Sequence, residues 1–317
     1  MNDEVNISFK GAAEENLRFL SKRVSEIAEE RILELSELCE AVCTFLTSAD
    51  GEDLDIYEML ALVRESVELP FGAMHSDALA ENTPKLSAFL SLMNEEDKVF
   101  FSELLLEHME KAGISVSERS FISPLEPSEV FTYVRNVLAD EAYDVFSVAF
   151  GDPRVKYSTT LKDAVRAVSD AEVGYALLPL EERGARISTV DELIYRNDLK
   201  IVAITPVFGQ DADMDLKYAL VARSLVEQHA KITDDRYLEI RLSKCTARAL
   251  AGILLAAELF CVEIYRLGTV RFGKEDENEE YYTVIFRSEG NDFTRILTYL
   301  TLFTEDFVAV GMYKNLE

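Results

Sequence analysis

Apolar and polar positions divide the chain into a helical first third and a longer region where strands and helices alternate. From Leu17, apolar residues recur with a period of about 3.6 until about residue 48, which predicts one long helix. A second helix is predicted over 54–69 and a third over 84–111, which the polar stretch 94–97 can divide into two. This part of the chain therefore predicts a helical module.

The middle of the chain alternates between short apolar runs and amphipathic segments. This pattern favours a largely parallel α/β sheet. The predicted strands lie at 120–122, 146–150, 174–178, 200–205 and 218–222. The predicted helices lie at 128–139, 160–168 and 189–196.

From about residue 235 the predicted order is β-α-β-β-α-β, the ferredoxin-like split βαβ arrangement. The segments lie at 237–242, 246–260, 262–272, 281–288, 292–302 and 308–313. The expected fold is multidomain, α plus α/β. It has a helical bundle at 1–115, a single α/β lobe at 116–230 and a ferredoxin-like βαββαβ domain at 231–317.

Composition is that of a soluble globular protein, with 48% hydrophobic residues and a mean hydropathy of zero. The longest apolar run, 249–262, contains Gly252 and Glu258 and falls short of the roughly 18 apolar residues that a membrane helix needs. The N-terminus has no basic region followed by an apolar one, so no signal peptide is predicted. We expect a cytoplasmic protein.

The net charge of −27 arises from 59 acidic against 32 basic residues. Such a surface repels phosphate backbones and anionic lipids, which argues against nucleic-acid and membrane partners. An acidic surface of this kind is also explained by solubility alone.

Four cysteines and three histidines offer no metal-binding pattern. Cys39 and Cys43 lie one helical turn apart, and neither a Cys-x-x-Cys motif nor a His-Cys cluster accompanies them. We therefore expect reduced, mostly buried thiols, no metal site and no cofactor.

The segment 173–207 carries the most specific motif. Pro179, Glu181 and Gly184, with Asp191 and Leu193 beyond them, resemble the substrate-loop segment of prephenate dehydratases. In that family the loop reads Pro-Ile-Glu-Asn-Ser, whereas this chain is two residues shorter and replaces the last two positions. The candidate substrate-loop residues are Glu181, Glu182, Arg183, Gly184 and Lys217. Taken singly, the charges among them are interpreted as solvated loop residues rather than catalysts.

The resemblance fails after Pro206. A second lobe of the family is missing, and Leu216-Lys217-Tyr218 stands where the family has a Thr-Arg-Phe strand. Leucine at 216 cannot replace the catalytic threonine hydroxyl that the family supplies. Because prephenate is a dicarboxylate, its site would also need a local cationic pocket on this acidic protein.

The final segment resembles an ACT domain, a small-molecule sensor of amino-acid biosynthetic enzymes, and ends in a similar 310–313 motif. The family binds phenylalanine at a dimer interface through a Gly-Ala-Leu turn and a motif on the second strand. The corresponding candidate ligand or dimer residues here are Arg248, Ala249, Leu250, Gly268, Thr269 and Arg271. Arg248 stands where the family has the turn glycine, which gives the ligand room. A domain that dimerises without binding a ligand is therefore an alternative.

The helical N-terminus occupies the place of a chorismate mutase domain in bifunctional family members, and 20–27 weakly resembles its first helix. In that register, Ser21 and Cys39 stand at the positions where the family has its substrate-binding arginines. A register that uses Arg18 places Leu35 at the second position. A mutase remnant and an unrelated helical bundle both remain as interpretations.

These resemblances imply a non-catalytic relative of chorismate mutase/prephenate dehydratase that acts through assembly or ligand sensing. The alternative is an active prephenate dehydratase of phenylalanine biosynthesis, with Arg183, Arg186 and Lys217 clamping the substrate in a site completed across a dimer. A third possibility is an interaction protein without a small ligand. We expect a homodimer, because the edge strands of a split βαβ sheet need partners, and an aromatic amino acid as the ligand.

Overall fold

The computed structural model describes residues 2–48, 59–60, 93–122, 127–208, 215–226, 235–243, 245–272, 279–289, 292–304 and 307–316. Most of the helix predicted over 54–69, and the part of the third helix before residue 93, lie outside the described residues.

Seven α-helices occur in the described part of the chain. They are α1 (Asn2–Ser48), α2 (Glu95–Lys111), α3 (Val137–Phe150), α4 (Leu161–Ser169), α5 (Ser188–Arg196), α6 (Ala247–Leu259) and α7 (Thr294–Phe303). No described helix has the length and apolar character needed to cross a membrane.

The described strands form one mixed sheet of ten strands. They are β1 (Val130–Val134), β2 (Arg154–Ser158), β3 (Tyr175–Glu182), β4 (Ala185–Arg186), β5 (Lys200–Phe208), β6 (Asp215–Ala222), β7 (Asp235–Leu242), β8 (Glu263–Phe272), β9 (Glu279–Glu289) and β10 (Phe307–Asn315).

Strand order across the sheet is β2-β1-β3-β6-β5-β10-β7-β9-β8, with β4 paired to β3. Among the described strands, only the β1–β2, β1–β3 and β5–β10 pairs are parallel. The expectation of a largely parallel lobe is therefore wrong. The reason is that β6 follows β5 through a short connection and lies antiparallel between β3 and β5. Parallel neighbours would instead need a longer crossover connection, usually a helix.

The predicted β-α-β-β-α-β order of the last segment is confirmed as β7-α6-β8-β9-α7-β10. Its strands lie in the order β10-β7-β9-β8, as a split βαβ unit requires. Its parallel β5–β10 pairing joins it to the middle segment, with Gly311 opposite Ile201. The strands on the two sides of the boundary predicted at 230/231 thus share one sheet.

Between residues 118 and 158 the predicted elements are wrong. The strand predicted at 120–122 is a 3-10 helix, Glu118–Phe121, and the helix predicted at 128–139 contains β1 and only the start of α3. The residues 146–150 finish α3 instead of forming a strand, and β2 was not predicted. The short apolar run of β1 is buried on both faces, so its periodicity does not distinguish strand from helix. Asn136 begins α3 by accepting a hydrogen bond from the amide of Ala139 at 2.9 Å.

Helices cover both faces of the sheet. One core lies between α4 and α5 and the face that includes Leu178, Val221 and Tyr237. On the other face, α3 covers β1, β3, β5 and β6, while α1, α2, α6 and α7 enclose a core with Leu238 and Ile240 of β7. Residues of β7 therefore alternate between two helical layers.

Two helices, α1 and α2, account for most of the described N-terminal module. α1 is buried against α2 from Leu35 onward, whereas Ile27, Ile32 and Leu33 are exposed. Within the third predicted helix, α2 begins after Asn94, whose side chain accepts from the Asp97 amide at 2.8 Å. Whether the polar stretch at 94–97 divides a longer helix lies outside the described residues.

The β5–β10 seam yields a stability prediction. A Cβ at Gly311 would lie 2.6 Å from the Ile201 carbonyl oxygen and 2.7 Å from Ile201 Cβ. We expect Gly311→Ala to lower the free energy of unfolding by about 1–3 kcal/mol through overpacking. Urea denaturation followed by circular dichroism measures the change. Gly268→Ala is the matched control, because its Cβ meets nothing within 4 Å. An equal loss of stability in both variants would contradict the steric explanation for Gly311.

Candidate functional site

A tight hairpin places the substrate-loop residues. Arg183 and Gly184 have φ of 51° and 73° and form the turn between β3 and β4. Two successive positive φ values are typical of a type I′ turn, and glycine at the second adopts this conformation without strain. The hairpin brings Glu181 opposite Arg186 across the strand pair.

Arg186 is the centre of a buried cluster of ion pairs. Its Nε lies 3.3 Å from Glu181 Oε1, its Nη1 lies 3.5 Å from Asp191 Oδ1, and its Nη2 donates to Glu239 Oε2. The cluster therefore connects the β3–β4 hairpin to α5 and to β7. Each carboxylate is buried, and the Glu239 side chain is only 1% exposed.

Arg241 extends this cluster from β7. Glu239 and Arg241 are two residues apart on one strand, so their side chains lie on the same face of the sheet. Arg241 Nη2 donates to Asp191 Oδ1 at 3.1 Å, and both side chains are 2% exposed. Asp191 thus accepts from two guanidinium groups that come from different strands.

Arg241 also lies over aromatic rings. Its guanidinium carbon is 5.1 Å from the Phe272 ring centroid and 5.8 Å from that of Tyr195, and these two rings are stacked. Its Nε and Nη1 are buried and have no hydrogen-bond partner among the described residues. The two ring faces partly compensate the buried charge through cation–π attraction.

Two more cations close the outer side of the cluster. Lys217 Nζ lies 3.2 Å from Glu181 Oε2, and Arg266 Nη1 lies 3.1 Å from Glu181 Oε1. Four described cations thus face three carboxylates. Three of these cations contact Glu181. Their charges compensate the negative charge of this carboxylate, which is only 7% exposed.

Burial dominates the pKa shifts of two members of the cluster, Asp191 and Tyr313. It raises the pKa of Asp191, even though Arg186 and Arg241 act in the opposite direction. A carboxyl whose pKa is higher in the folded than in the unfolded chain opposes folding when ionised, and this cost disappears as the pH falls through the folded-state pKa. Burial also raises the pKa of Tyr313 well above its usual value, and its hydroxyl donates to Glu239 at 3.2 Å.

The predicted substrate-loop residues therefore have different environments. The interpretation of Glu181 as a solvated loop charge is wrong, because the side chain is buried and paired. Glu182, Arg183 and Gly184 are exposed on the hairpin, and Lys217 is half-buried. Leu216, at the position of the family threonine, is 8% exposed and lies opposite Glu182.

A cavity of about 250 Å³ lies beside the same strands. It is formed where β1 and β3 meet the N-termini of α3 and α4, and Pro179 and Tyr218 contribute to its wall. No charged side chain is among the described residues that line it: Val134, Asn136, Ala139, Thr160, Leu161, Leu177, Pro179 and Tyr218. The described wall of the cavity therefore offers no cation to a dicarboxylate.

The two parts of the predicted ACT site have separate polar contacts. Arg248 Nε donates to Glu95 Oε1 at 2.8 Å and its Nη2 to the Met93 carbonyl at 3.0 Å, so it binds the N-terminus of α2. The Ala249 amide donates to the Thr246 hydroxyl that begins α6, and Leu250 follows in the same turn. On β8, Gly268 and Thr269 are near the sheet edge and Arg271 pairs with Glu280 at 2.9 Å on β9.

The mutase-like positions on α1 bring no pair of cations together in the described structure. Ser21 and Arg18 are exposed, whereas Cys39 and Leu35 are buried.

The cysteines are free, but the expectation that most are buried holds for only two of them. Cys39 and Cys43 are buried, Cys245 is partly buried and Cys261 is exposed. Burial raises the pKa of both buried thiols, that of Cys43 to about 11.

Four members of the cluster were not among the predicted site residues: Glu239, Arg241, Arg266 and Tyr313. The signal that could have found the first two is a pair of charges at alternate positions of the apolar strand at 237–242. Charges on the buried face of a strand need partners, and acidic and basic residues two apart predict a shared polar layer.

No protein-family model and no curated protein matches the chain. Among solved structures, it is similar to a prephenate dehydratase from Streptococcus mutans, with a TM-score of 0.48, 14% identity, and 59% of this chain and 99% of that chain covered. It is also similar to one from Arthrobacter aurescens in complex with L-Phe, with a TM-score of 0.44, 13% identity, and 58% and 90% covered. A third is GqqA, described as a novel type of quorum quenching acylase, with a TM-score of 0.42, 17% identity, and 59% and 95% covered. Structural similarity and sequence identity at this level assign no activity and no residue role to this chain.

The cluster predicts unequal effects for its two buried arginines. Arg186→Met leaves three carboxylates without their central partner, and we expect it to lower the free energy of unfolding by about 3–5 kcal/mol. Arg241→Met leaves Asp191 paired to Arg186 and puts a thioether against two aromatic rings, so we expect a loss of about 1 kcal/mol or less. Chemical denaturation of both variants measures the difference. A larger loss for Arg241→Met would contradict the central position of Arg186.

Proposed function

We propose that this protein is a non-catalytic relative of prephenate dehydratases that acts through self-assembly and ligand sensing. One observation carries the proposal: Arg186 and Lys217, two of the cations that an active enzyme would use to clamp its substrate, are paired to the chain's own carboxylates. Arg186 contacts three of them, and Lys217 contacts Glu181 at 3.2 Å.

Electrostatics explains why this observation weighs against dehydration of prephenate. A dicarboxylate is bound by guanidinium or ammonium groups that donate to its oxygens. If Arg186 turned to a substrate, buried Glu239 would lose its ion pair, and if Lys217 did, buried Glu181 would lose one of its three cations. Both changes are unfavourable, the first strongly so. Arg183 is exposed and provides a single charge.

The chemistry of position 216 supports the same proposal. The family resemblance requires a threonine hydroxyl there to assist departure of the substrate hydroxyl, and leucine has no group that can transfer a proton or donate a hydrogen bond. The adjacent 250 Å³ cavity has no charged side chain in its described wall.

The assembly part of the proposal rests on β8. One edge of the split βαβ unit, β10, is paired to β5 of the same chain, whereas β8 is at the end of the described sheet. Tyr265 and Leu267 on β8 are 51% and 45% exposed. An exposed edge with apolar residues favours pairing with another strand.

The sequence of β8 is compatible with antiparallel pairing to a second copy. Centred on Leu267, this pairing places Glu263 opposite Arg271 and Tyr265 opposite Thr269. Opposite charges and an aromatic residue beside a β-branched one are favourable cross-strand pairs. We propose a homodimer formed along this edge, with an aromatic amino acid as the sensed ligand.

The first test is an assay of phenylpyruvate formation from prephenate by the purified full chain. We expect no formation above the rate without protein, with an active prephenate dehydratase as the positive control. Turnover at an ordinary enzymatic rate would refute the non-catalytic proposal and favour the alternative of an active enzyme completed across a dimer.

The second test concerns the edge of β8. Leu267→Lys places a charge at the centre of the proposed pairing, and we expect it to raise the dimer dissociation constant about tenfold or more. Multi-angle light scattering over a range of concentrations measures the mass. Val148→Lys on α3 is the matched control, since Val148 is 88% exposed and lies away from β8. A monomeric wild-type protein, or equal effects of both variants, would contradict the dimer.

A further inference from the structure

The cavity beside β1 and β3 lies where the chain connections change direction. In the sheet, β1 lies between β2 and β3 and is parallel to both. The connection from β1 to β2 runs through α3 on one face, and the connection from β2 to β3 runs through α4 on the other face. Connections that diverge in this way leave a crevice at the carboxyl ends of the strands, and this crevice is where open α/β sheets bind ligands.

The lining of the cavity is apolar where it is buried and polar where it is exposed. Ala139, Leu177 and Tyr218 are 1%, 1% and 4% exposed. Asn136 and Thr160, which precede α3 and α4, are exposed members of the same lining. A concave, mostly apolar surface with a few polar groups is the usual form of a small-molecule site.

The volume of the cavity indicates the size of its ligand. An apolar cavity of about 150 Å³ is sufficient for benzene. The volume of about 250 Å³ therefore accommodates one ring with a small substituent. The ring of Tyr218 belongs to the wall, and it favours an aromatic ligand because ring pairs attract beyond the area that they bury.

The two helix N-termini at this cavity do not make it an anion site. Asn136 accepts a hydrogen bond from the Ala139 amide at 2.9 Å. Thr160 accepts one from the Asp163 amide at 3.1 Å. The first turn of α3 contains Asp140, and that of α4 contains Asp163, whose pKa is lowered by hydrogen bonds from two threonine hydroxyls. These acids already compensate the positive ends of both helix dipoles, so an uncharged ligand is favoured.

The Tyr218 hydroxyl provides a polar contact for such a ligand. Burial raises the pKa of Tyr218, and a hydrogen bond that Asn136 donates to its hydroxyl acts in the opposite direction. The hydroxyl therefore lies beside Asn136, which also lines the cavity. This contact uses a lone pair of the hydroxyl and leaves its proton free to donate.

We propose that this cavity binds an uncharged molecule that has a single aromatic ring and a hydrogen-bond acceptor, such as an aromatic amide or ketone. The ring packs on Leu177, Pro179 and the ring of Tyr218, and the acceptor receives the hydrogen bond of the Tyr218 hydroxyl. This site depends neither on the dimer along β8 nor on the aromatic amino acid proposed above, whose two charges would find no counter-charge in the described wall.

The test is a titration of the full chain with benzamide, followed by ligand-observed nuclear magnetic resonance. We expect one saturable site with a dissociation constant of about 1 mM or lower, as is reasonable for a ligand of this size. Benzoate has the same ring but carries a negative charge, and we expect it to bind at least about tenfold more weakly. Cyclohexanecarboxamide has the amide without the aromatic ring, and we expect about threefold weaker binding.

Two substitutions locate the site. Tyr218→Phe removes the donor and keeps the ring, and we expect it to bind benzamide about threefold to tenfold more weakly. Leu161→Trp fills the cavity from α4, and we expect it to abolish saturable binding. Leu193→Trp is the matched control, because Leu193 is also half-buried on the core beneath α4 and α5 but is not in the lining. We expect this control to change the affinity less than about twofold.

Circular dichroism of each variant checks that the fold is retained, and the comparison of benzamide with benzoate needs no variant. Absence of saturable benzamide binding would overturn the proposal. So would binding of benzoate or cyclohexanecarboxamide as tight as that of benzamide, or an unchanged affinity of folded Tyr218→Phe or Leu161→Trp.

Discussion

The buried guanidinium of Arg186 is the constraint on which the arrangement of the sheet depends. It contacts carboxylates from β3, α5 and β7, so three elements that are distant in the chain converge on one charge. Burying a cation beside three acids is favourable only while all are present and well placed. The hairpin turn at Arg183 and Gly184 is needed for this, because it sets Arg186 opposite Glu181.

This cluster and the β5–β10 seam join the middle and last segments. Glu239 and Arg241 come from the split βαβ unit, while Glu181, Arg186 and Asp191 precede it in the chain. The close approach of Gly311 to Ile201 supplies the backbone part of the junction, and the ion pairs supply the side-chain part. Two segments that differ in their strand arrangement therefore share one sheet and one polar layer.

Sequence patterns predicted α1 from residue 17 onward, though not its first residues, and they predicted the described part of the third helix and the elements of the last segment. Long amphipathic periods and alternating strands determine their own secondary structure. They failed for β1, whose short apolar run carries no period, and for β2, which is largely polar and exposed. They also failed for the partners of Arg186. Pro179, Gly184 and Asp191 were recognised as residues of a motif. However, the contact between Asp191 and Arg241 depends on the packing of α5 over β7, which no local pattern contains.

Native-state hydrogen exchange tests the central claim, that the Arg186 cluster unites the two segments, most directly. Amides of β3, β5, β7 and β10 in the wild-type protein should report one common free energy of opening, since they belong to one cooperative unit. In Arg186→Met, β7 and β10 should separate from β3 and β5 and open at a different free energy. Distinct opening free energies for the two groups in the wild-type protein would contradict the account.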